Sequence, residues 1–192
     1  GCLGGYPNIL HAQAKSAHKT TPFTLGASYT GDIVSNFAGG KREGIAYLGM
    51  ANFQFSFNTT LAGLWKGGEF YIKAANTHGG LSSAEFIGDF QGVSNIEAGN
   101  LTYLHECWFR QSIGPVTVIA GLQDMNTEFA AGEASGLFLN GSFGVHSTIA
   151  HNIPVPIFPL TAVGLQFQWV INAQVSARAA IFDGLPDDFE SN

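Results

Sequence analysis

Residues 46–59 read AYLGMANFQFSFNT, and within them Tyr47, Phe53, Phe55 and Phe57 alternate with Asn52, Gln54, Ser56 and Asn58. A period of two is the mark of a strand whose successive side chains leave opposite faces. One face here is aromatic and the other polar, with almost no charge. The pattern recurs along the chain, and this recurrence constrains the fold most. A transmembrane β-barrel turns apolar side chains to lipid and keeps polar ones inside. A soluble β-sandwich or small barrel with an aromatic core, of the kind that binds glycans, accommodates the same alternation.

Charged residues are 11% of the 192, against about 25% in a typical soluble domain, so something other than surface charge covers much of the exterior. The 25 Gly and 16 Phe suit strands, tight turns and aromatic girdles better than helices. Eight Lys and Arg and a formal charge of -6 argue against a phosphate-tracking surface, and no nucleic-acid partner is expected. No run of about 18 apolar residues occurs, which predicts neither a transmembrane helix nor a signal peptide and leaves a barrel untouched, because its strands need only about 9–11 residues. Cys2 and Cys107 have no zinc, haem or disulfide-scaffold spacing. A lipid-modified cysteine would normally open the mature chain, and Gly1 precedes Cys2.

Residues 1–21 lack a clear period and read as a leader or irregular segment. A first strand follows Pro22, with Phe23, Leu25, Ala27 and Tyr29 opposite Thr24, Gly26, Ser28 and Thr30. The glycine-rich stretch 36–44 is a turn expected to project into water. After the second strand and a turn near 62–68, where Trp65 suits a membrane interface, a third sets Phe70, Ile72 and Ala74 against Glu69, Tyr71 and Lys73. Residues 77–100 are longer and hold an acidic piece at 83–89, a short helix or an ordered loop. The fourth strand, 103–111, is read with Tyr103, Cys107 and Phe109 on one face and Leu104, Glu106, Trp108 and Arg110 on the other. After a Gly114-Pro115 turn, Val116, Val118, Ala120 and Leu122 form the apolar row of the fifth. A connection at about 124–160 follows, its last third interrupted by Pro154, Pro156 and Pro159. Val163, Leu165, Phe167, Trp169 and Ile171 then oppose Gly164, Gln166, Gln168 and Asn172. A tight Asn172-Ala173 turn leads to Val175, Ala177, Ala179 and Ile181 against Ser176 and Arg178. The tail from Asp183 is acidic and turn-like. Seven strands are an awkward number where single-chain bacterial barrels have an even count, so either one strand escapes the pattern or the barrel is larger than this chain, and the second is expected.

The segments YTGD at 29–32, FAGG at 37–40, GDFQGVSNIEA at 88–98, GLQDMNTEFA at 121–130 and FLNGSFG at 138–144 together resemble the carbohydrate-selective outer-membrane porins of the OprB-type family. The likeness runs from about Phe23 to Asp188. It implies an all-β fold, a transmembrane antiparallel β-barrel of 16 strands in which this chain supplies about seven or eight. Residues 22–192 would be its N-terminal half, with a long loop at about 124–160. It also implies passive diffusion of small neutral sugars such as glucose across a bacterial outer membrane, contact with outer-membrane lipid, and a remaining half of the barrel or a partner chain. Porins often form homo-oligomers, and no interface can be read from one chain.

A sugar channel needs hydrogen-bonding groups along its wall, numerous enough to replace hydration water and weak enough to release the solute. By residue type and face, Asn52, Gln54, Glu69, Lys73, Glu106, Arg110, Gln166, Gln168, Asn172 and Arg178 are expected to line the pore. Arg110 and Arg178, opposed by Glu69, Glu106 or Asp32, would set a transverse field, or would pair across strands and stiffen the wall by about 0.2–1 kcal/mol per pair. Tyr71 and Trp108 offer ring faces to a sugar, and Tyr47, Phe57 and Trp169 suit lipid contact or girdles. No catalysis, metal or cofactor is expected. Asp124 with Glu128 and His146 with His151 lie in the long loop without helical support, His78 and His105 are isolated, and no HExxH, GxSxG or Walker motif occurs. The alternatives are a non-conducting partial-barrel module in an outer-membrane assembly and a soluble glycan-binding β protein.

Overall fold

The alternating rows become seven strands in a computed structural model that describes residues 21–130, 137–143, 155–184 and 186. They are β1 (Phe23–Asn36), β2 (Gly44–Asn58), β3 (Gly68–Gly79), β4 (Leu101–Ile113), β5 (Val116–Gln123), β6 (Ala162–Val170) and β7 (Ser176–Phe182). The readings made of residues 1–20, including Cys2, of His146, His151 and Pro154, and of the tail from 187 onward lie outside the described residues. Each strand pairs antiparallel with the next, giving one sheet in the order β1 to β7. Among the described residues no pairing joins β1 to β7, so the sheet is open and has two edges.

Connections differ sharply between the two ends. At one end residues 59–67, Gly114-Pro115 and 171–175 make connections of nine, two and five residues; at the other, residues 37–43 make one of seven, and the 80–100 and 124–161 connections are far longer. Thr59 closes the first short turn, its Oγ1 donating to the Trp65 carbonyl at 2.7 Å and accepting from the Gly68 N–H at 3.1 Å.

Strand register assembles single aromatic residues into rows. Phe23, Phe57, Phe70 and Phe109 lie on successive pairing partners across β1–β4. The Phe57–Phe70 and Phe70–Phe109 ring centroids are 6.4 and 4.6 Å apart. Trp65 meets Phe109 edge-on, and its Nε1 donates to Gln111 Oε1 at 2.8 Å. Ten residues up β2 from Phe57 stands Tyr47, hydrogen-bonded to Tyr29. At ~3.3 Å per residue and the ~40° tilt usual in membrane barrels, the two aromatic levels would be about 25 Å apart, the height of a barrel's apolar band. Between them Leu25 is 77% exposed and Phe53 60%, and on β6 Leu165 is 53% exposed. A soluble core would have hidden these side chains, and among the described residues the aromatic rows form no interior.

The interior lies against the polar face instead. Residues 80–100 fold over β1–β4, burying Leu48, Ala75, Thr77, Phe86 and Ile96. Ser94 Oγ from this segment donates to Asp32 Oδ2 at 2.7 Å. The stretch 83–89 becomes a single helical turn, Ser83–Ile87. It is held to the 37–43 loop by an Arg42–Glu85 ion pair of 3.0 Å and by Lys41 Nζ donating to the Ala84 carbonyl at 2.9 Å. That loop therefore packs on its neighbour rather than projecting freely into water, though Phe37 is exposed. On the same face Ile119, Gln123, Ala162 and Gln166 are buried, and from the described parts of the long connection Asp124 and Phe158 meet His105.

β4 departs from the simple alternation its sequence suggests. A register shift between Lys73 and Ala74 leaves His105 as an extra residue, so His105 and Glu106 both turn toward the covered side and both are buried. Below the bulge Trp108 and Arg110 share the face of Glu106. Above it the phase reverses, which puts Tyr103 on the polar face and Leu104, 49% exposed, on the apolar face with Cys107 and Phe109.

Candidate functional site

Charges and rings converge where β3 pairs with β4. The register sets Glu69 opposite Arg110, Tyr71 opposite Trp108 and Lys73 opposite Glu106, all on the polar face. Side chains at such positions lie about 4.5–5.5 Å apart at Cβ and interact directly. Arg110 Nη1 donates to Glu69 Oε2 at 3.1 Å, and Lys73 Nζ stands 3.6 Å from Glu106 Oε1. The Tyr71 and Trp108 rings stack at 4.7 Å with 22° between planes. Trp108 Nε1 donates to Glu106 Oε2 at 2.9 Å, and the Arg110 guanidinium sits 4.8 Å from the Trp108 ring centre. Six side chains thus form a continuous ladder, with an ion pair at each end and an aromatic pair in the middle. Such a surface presents charged hydrogen-bonding groups beside apolar ring area, the two features a pyranose with equatorial hydroxyls and C–H faces can use together. It has no nucleophile poised by a base. Among the described residues no group of three or more His, Cys, Asp and Glu could hold a metal ion.

The other expected lining residues divide. Gln54 pairs with Lys73 from β2 and is exposed on the ladder's flank. Gln168 lies between Thr117 and Arg178 on the same face. Asn52 and Gln166 share the face but are buried, 8% and 2% exposed, and among the described residues Asn52 Oδ1 and Gln166 Nε2 have no hydrogen-bond partner. Arg178 faces neither Glu69, Glu106 nor Asp32: its Nη1 donates to the Glu128 carbonyl at 2.9 Å and lies 3.4 Å from Glu128 Oε2, tying the helical turn Asn126–Ala130 to β7. Asn172 stands outside the strands. It is exposed in the β6–β7 turn, where its Oδ1 accepts from the N–H groups of Gln174 and Val175. Tyr71 and Trp108 present ring faces to each other, which leaves only their remaining faces and edges to a solute.

His105, an isolated histidine in the sequence, anchors the region above the ladder. It is 1% exposed, its Nε2 is 3.4 Å from Asp124 Oδ2, and its ring meets Tyr103 and Phe158 edge-on. A bulge is a property of two strands in register, so nothing in the single-strand pattern marked it.

An open antiparallel sheet with an exposed apolar face and a polar face partly covered by connections resembles a section of β-barrel wall. Residues 42–192 match the carbohydrate-selective porin, OprB family, and the chain belongs to that family. No curated protein matches the chain. Among solved structures, the high-pH structure of Pseudomonas putida OprB is similar, with a TM-score of 0.77 and 18% identity over 85% of this chain. The match spans 41% of that protein, so this chain corresponds to less than half of the barrel it resembles.

Proposed function

We propose that this chain is part of the wall of an outer-membrane channel for small neutral sugars, and that it conducts only after complementary strands close the barrel. Family membership and the open sheet favour a partial-barrel element of an outer-membrane assembly over a channel complete in itself. Bare sheet edges are not tolerated in hydrocarbon, so β1 and β7 each need a partner there. The observation that carries the sugar reading is the ladder of Glu69–Arg110, Tyr71–Trp108 and Lys73–Glu106, in which polar groups are paired firmly enough to stay fixed while offering hydrogen bonds to a passing hydroxyl. Residues 80–100 and the covering parts of the long connection would narrow the passage above it. In barrels of this kind the short turns are periplasmic and the longer loops extracellular, which sets the ladder below an extracellular constriction.

Liposome swelling tests this. The assembly extracted from native outer membranes should admit glucose-sized sugars, and Trp108→Ala with Arg110→Ala should reduce sugar selectivity while leaving small-ion conductance within about two-fold. The 192-residue chain refolded alone should insert without steady conductance. Steady, sugar-blocked conductance from a lone monomer would contradict the need for closure, and an intact assembly indifferent to sugars would contradict the substrate class.

A further inference from the structure

On the apolar face, near the long-connection end, a line of polar side chains interrupts the lipid-like surface. Tyr29 Oη lies 2.6 Å from Tyr47 Oη and 2.9 Å from His78 Nε2. His78 Nδ1 is 2.9 Å from Asn76 Oδ1, and Asn76 Nδ2 donates to Thr102 Oγ1 at 2.7 Å. The direction of the chain follows from that last bond. Asn76 Oδ1 is an acceptor, so a neutral His78 carries its proton on Nδ1; with that imidazole Nε2 accepts from Tyr29, and the Tyr29 oxygen accepts from Tyr47. Every donor from Tyr47 through His78 is used internally, and the Tyr47 oxygen is left as an outward acceptor. The tips of these side chains lie on a pair of glycines: a Cβ on Gly31 would stand 2.6 Å from Tyr47 Oη, and one on Gly49 would meet Tyr29 Oη at 2.5 Å and collide with His78 Nε2.

Immediately toward the middle of the same face is a groove of about 500 Å³ whose apolar walls are Leu25, Ala27, Phe53, Phe55, Ile72 and Ala74. Its upper residues lead directly into the polar line, since Ala27 is followed on that face by Tyr29 and Ala74 by Asn76. The surface is thus amphiphilic along one direction, apolar below and hydrogen-bonding above.

We propose that this face binds one outer-leaflet lipid, with an acyl chain in the groove and an uncharged N–H or O–H donor at its head-to-chain junction bonded to the Tyr47 oxygen. The class expected is an amide-linked, hydroxyacylated amphiphile. No Lys or Arg lies on the apolar rows of β1–β4, so the polar line complements a neutral donor rather than a phosphate. The proposal rests on the reading that the apolar face meets lipid with the long connections extracellular.

Native mass spectrometry of the membrane-extracted protein tests it, with lipid A and a phosphatidylglycerol of matched chain length as probes. Wild type should retain lipid A in preference, Tyr47→Phe and the groove-filling Ala74→Leu should each lower that retention at least five-fold, and Val163→Leu on β6 should not. Gly49→Ala, which keeps every polar group but displaces the Tyr29 and His78 tips, should act like Tyr47→Phe. Equal retention of both lipids, or retention unchanged in all three variants, would overturn the site while leaving the membrane face intact; retention of neither lipid would fault the membrane reading itself. A dimer mass in place of the lipid adduct, with Ile33, Phe37 and Ile45 above the polar line protected from labelling, would show that a second copy covers this face and would also overturn the proposal.

Discussion

Replacing Gly121 with Val should separate β4 from β5 and abolish most folding into membranes. Gly121 has φ +134°, and a Cβ there would collide with the Cys107 carbonyl and stand 2.7 Å from Trp108 Cα. The backbone conformation alone costs about 1–3 kcal/mol for a residue with a side chain, and forcing atoms into a closed contact adds about 1–3 kcal/mol. Together they amount to about 4 kcal/mol, a large fraction of the stability of an ordinary domain. Urea titration of the protein in vesicles measures this. Gly63→Ala is the control, because that turn has φ +72° with open space around the missing Cβ and should lose only about 1 kcal/mol. Equal losses at the two positions would show that packing behind Trp108 is looser than the structure has it.

Lys73→Met should cost about 3 kcal/mol. Glu106 keeps only 10% of its side-chain surface exposed, and Lys73 keeps 19%. Removing one partner of a buried pair typically costs about 3–5 kcal/mol, because the remaining charge has lost its counterion and cannot regain water. The lower end applies here, since Lys73 itself still sees solvent and the pair is 3.6 Å apart. The double variant Lys73→Met/Glu106→Gln should regain most of the loss, because a buried pair replaced by neutral groups of similar size is often nearly isoenergetic. The same urea titration checks both. A double variant as unstable as the single would mean that Lys73 stabilises through packing of its methylenes rather than through Glu106.

The strands whose two faces differ most in polarity were the most legible in the sequence. Phe53, Phe55 and Phe57 against Asn52, Gln54 and Ser56 define β2 without any partner, and Val163, Leu165, Phe167 and Trp169 define β6 in the same way. A period of two depends only on the chain's own geometry. The phase of β4 depends on β3 as well, and the insertion of His105 into that ladder moved Leu104 and Tyr103 to faces opposite those their spacing suggested. The site shows the same division. Glu69, Lys73, Glu106 and Arg110 were legible as a polar row, because strand alternation puts them there. That Arg178 would turn to Glu128, that Asn172 would cap a turn, and that Asn52 and Gln166 would be covered all depend on connections folding back over the sheet. Their path is set by contacts such as Ser94 with Asp32, 62 residues apart in sequence, which no local pattern contains.

Lipid exposure should alternate along β2, with the aromatic row meeting acyl chains and the row between shielded from them. A nitroxide scan of β2 in lipid vesicles, one label at each of residues 50–57 in a Cys2→Ala/Cys107→Ala background, measures it directly. Oxygen accessibility should oscillate with a period of two and peak at Ala51, Phe53, Phe55 and Phe57, with minima at Met50, Asn52, Gln54 and Ser56. A flat profile, or maxima on the Asn52 and Gln54 row, would contradict the account.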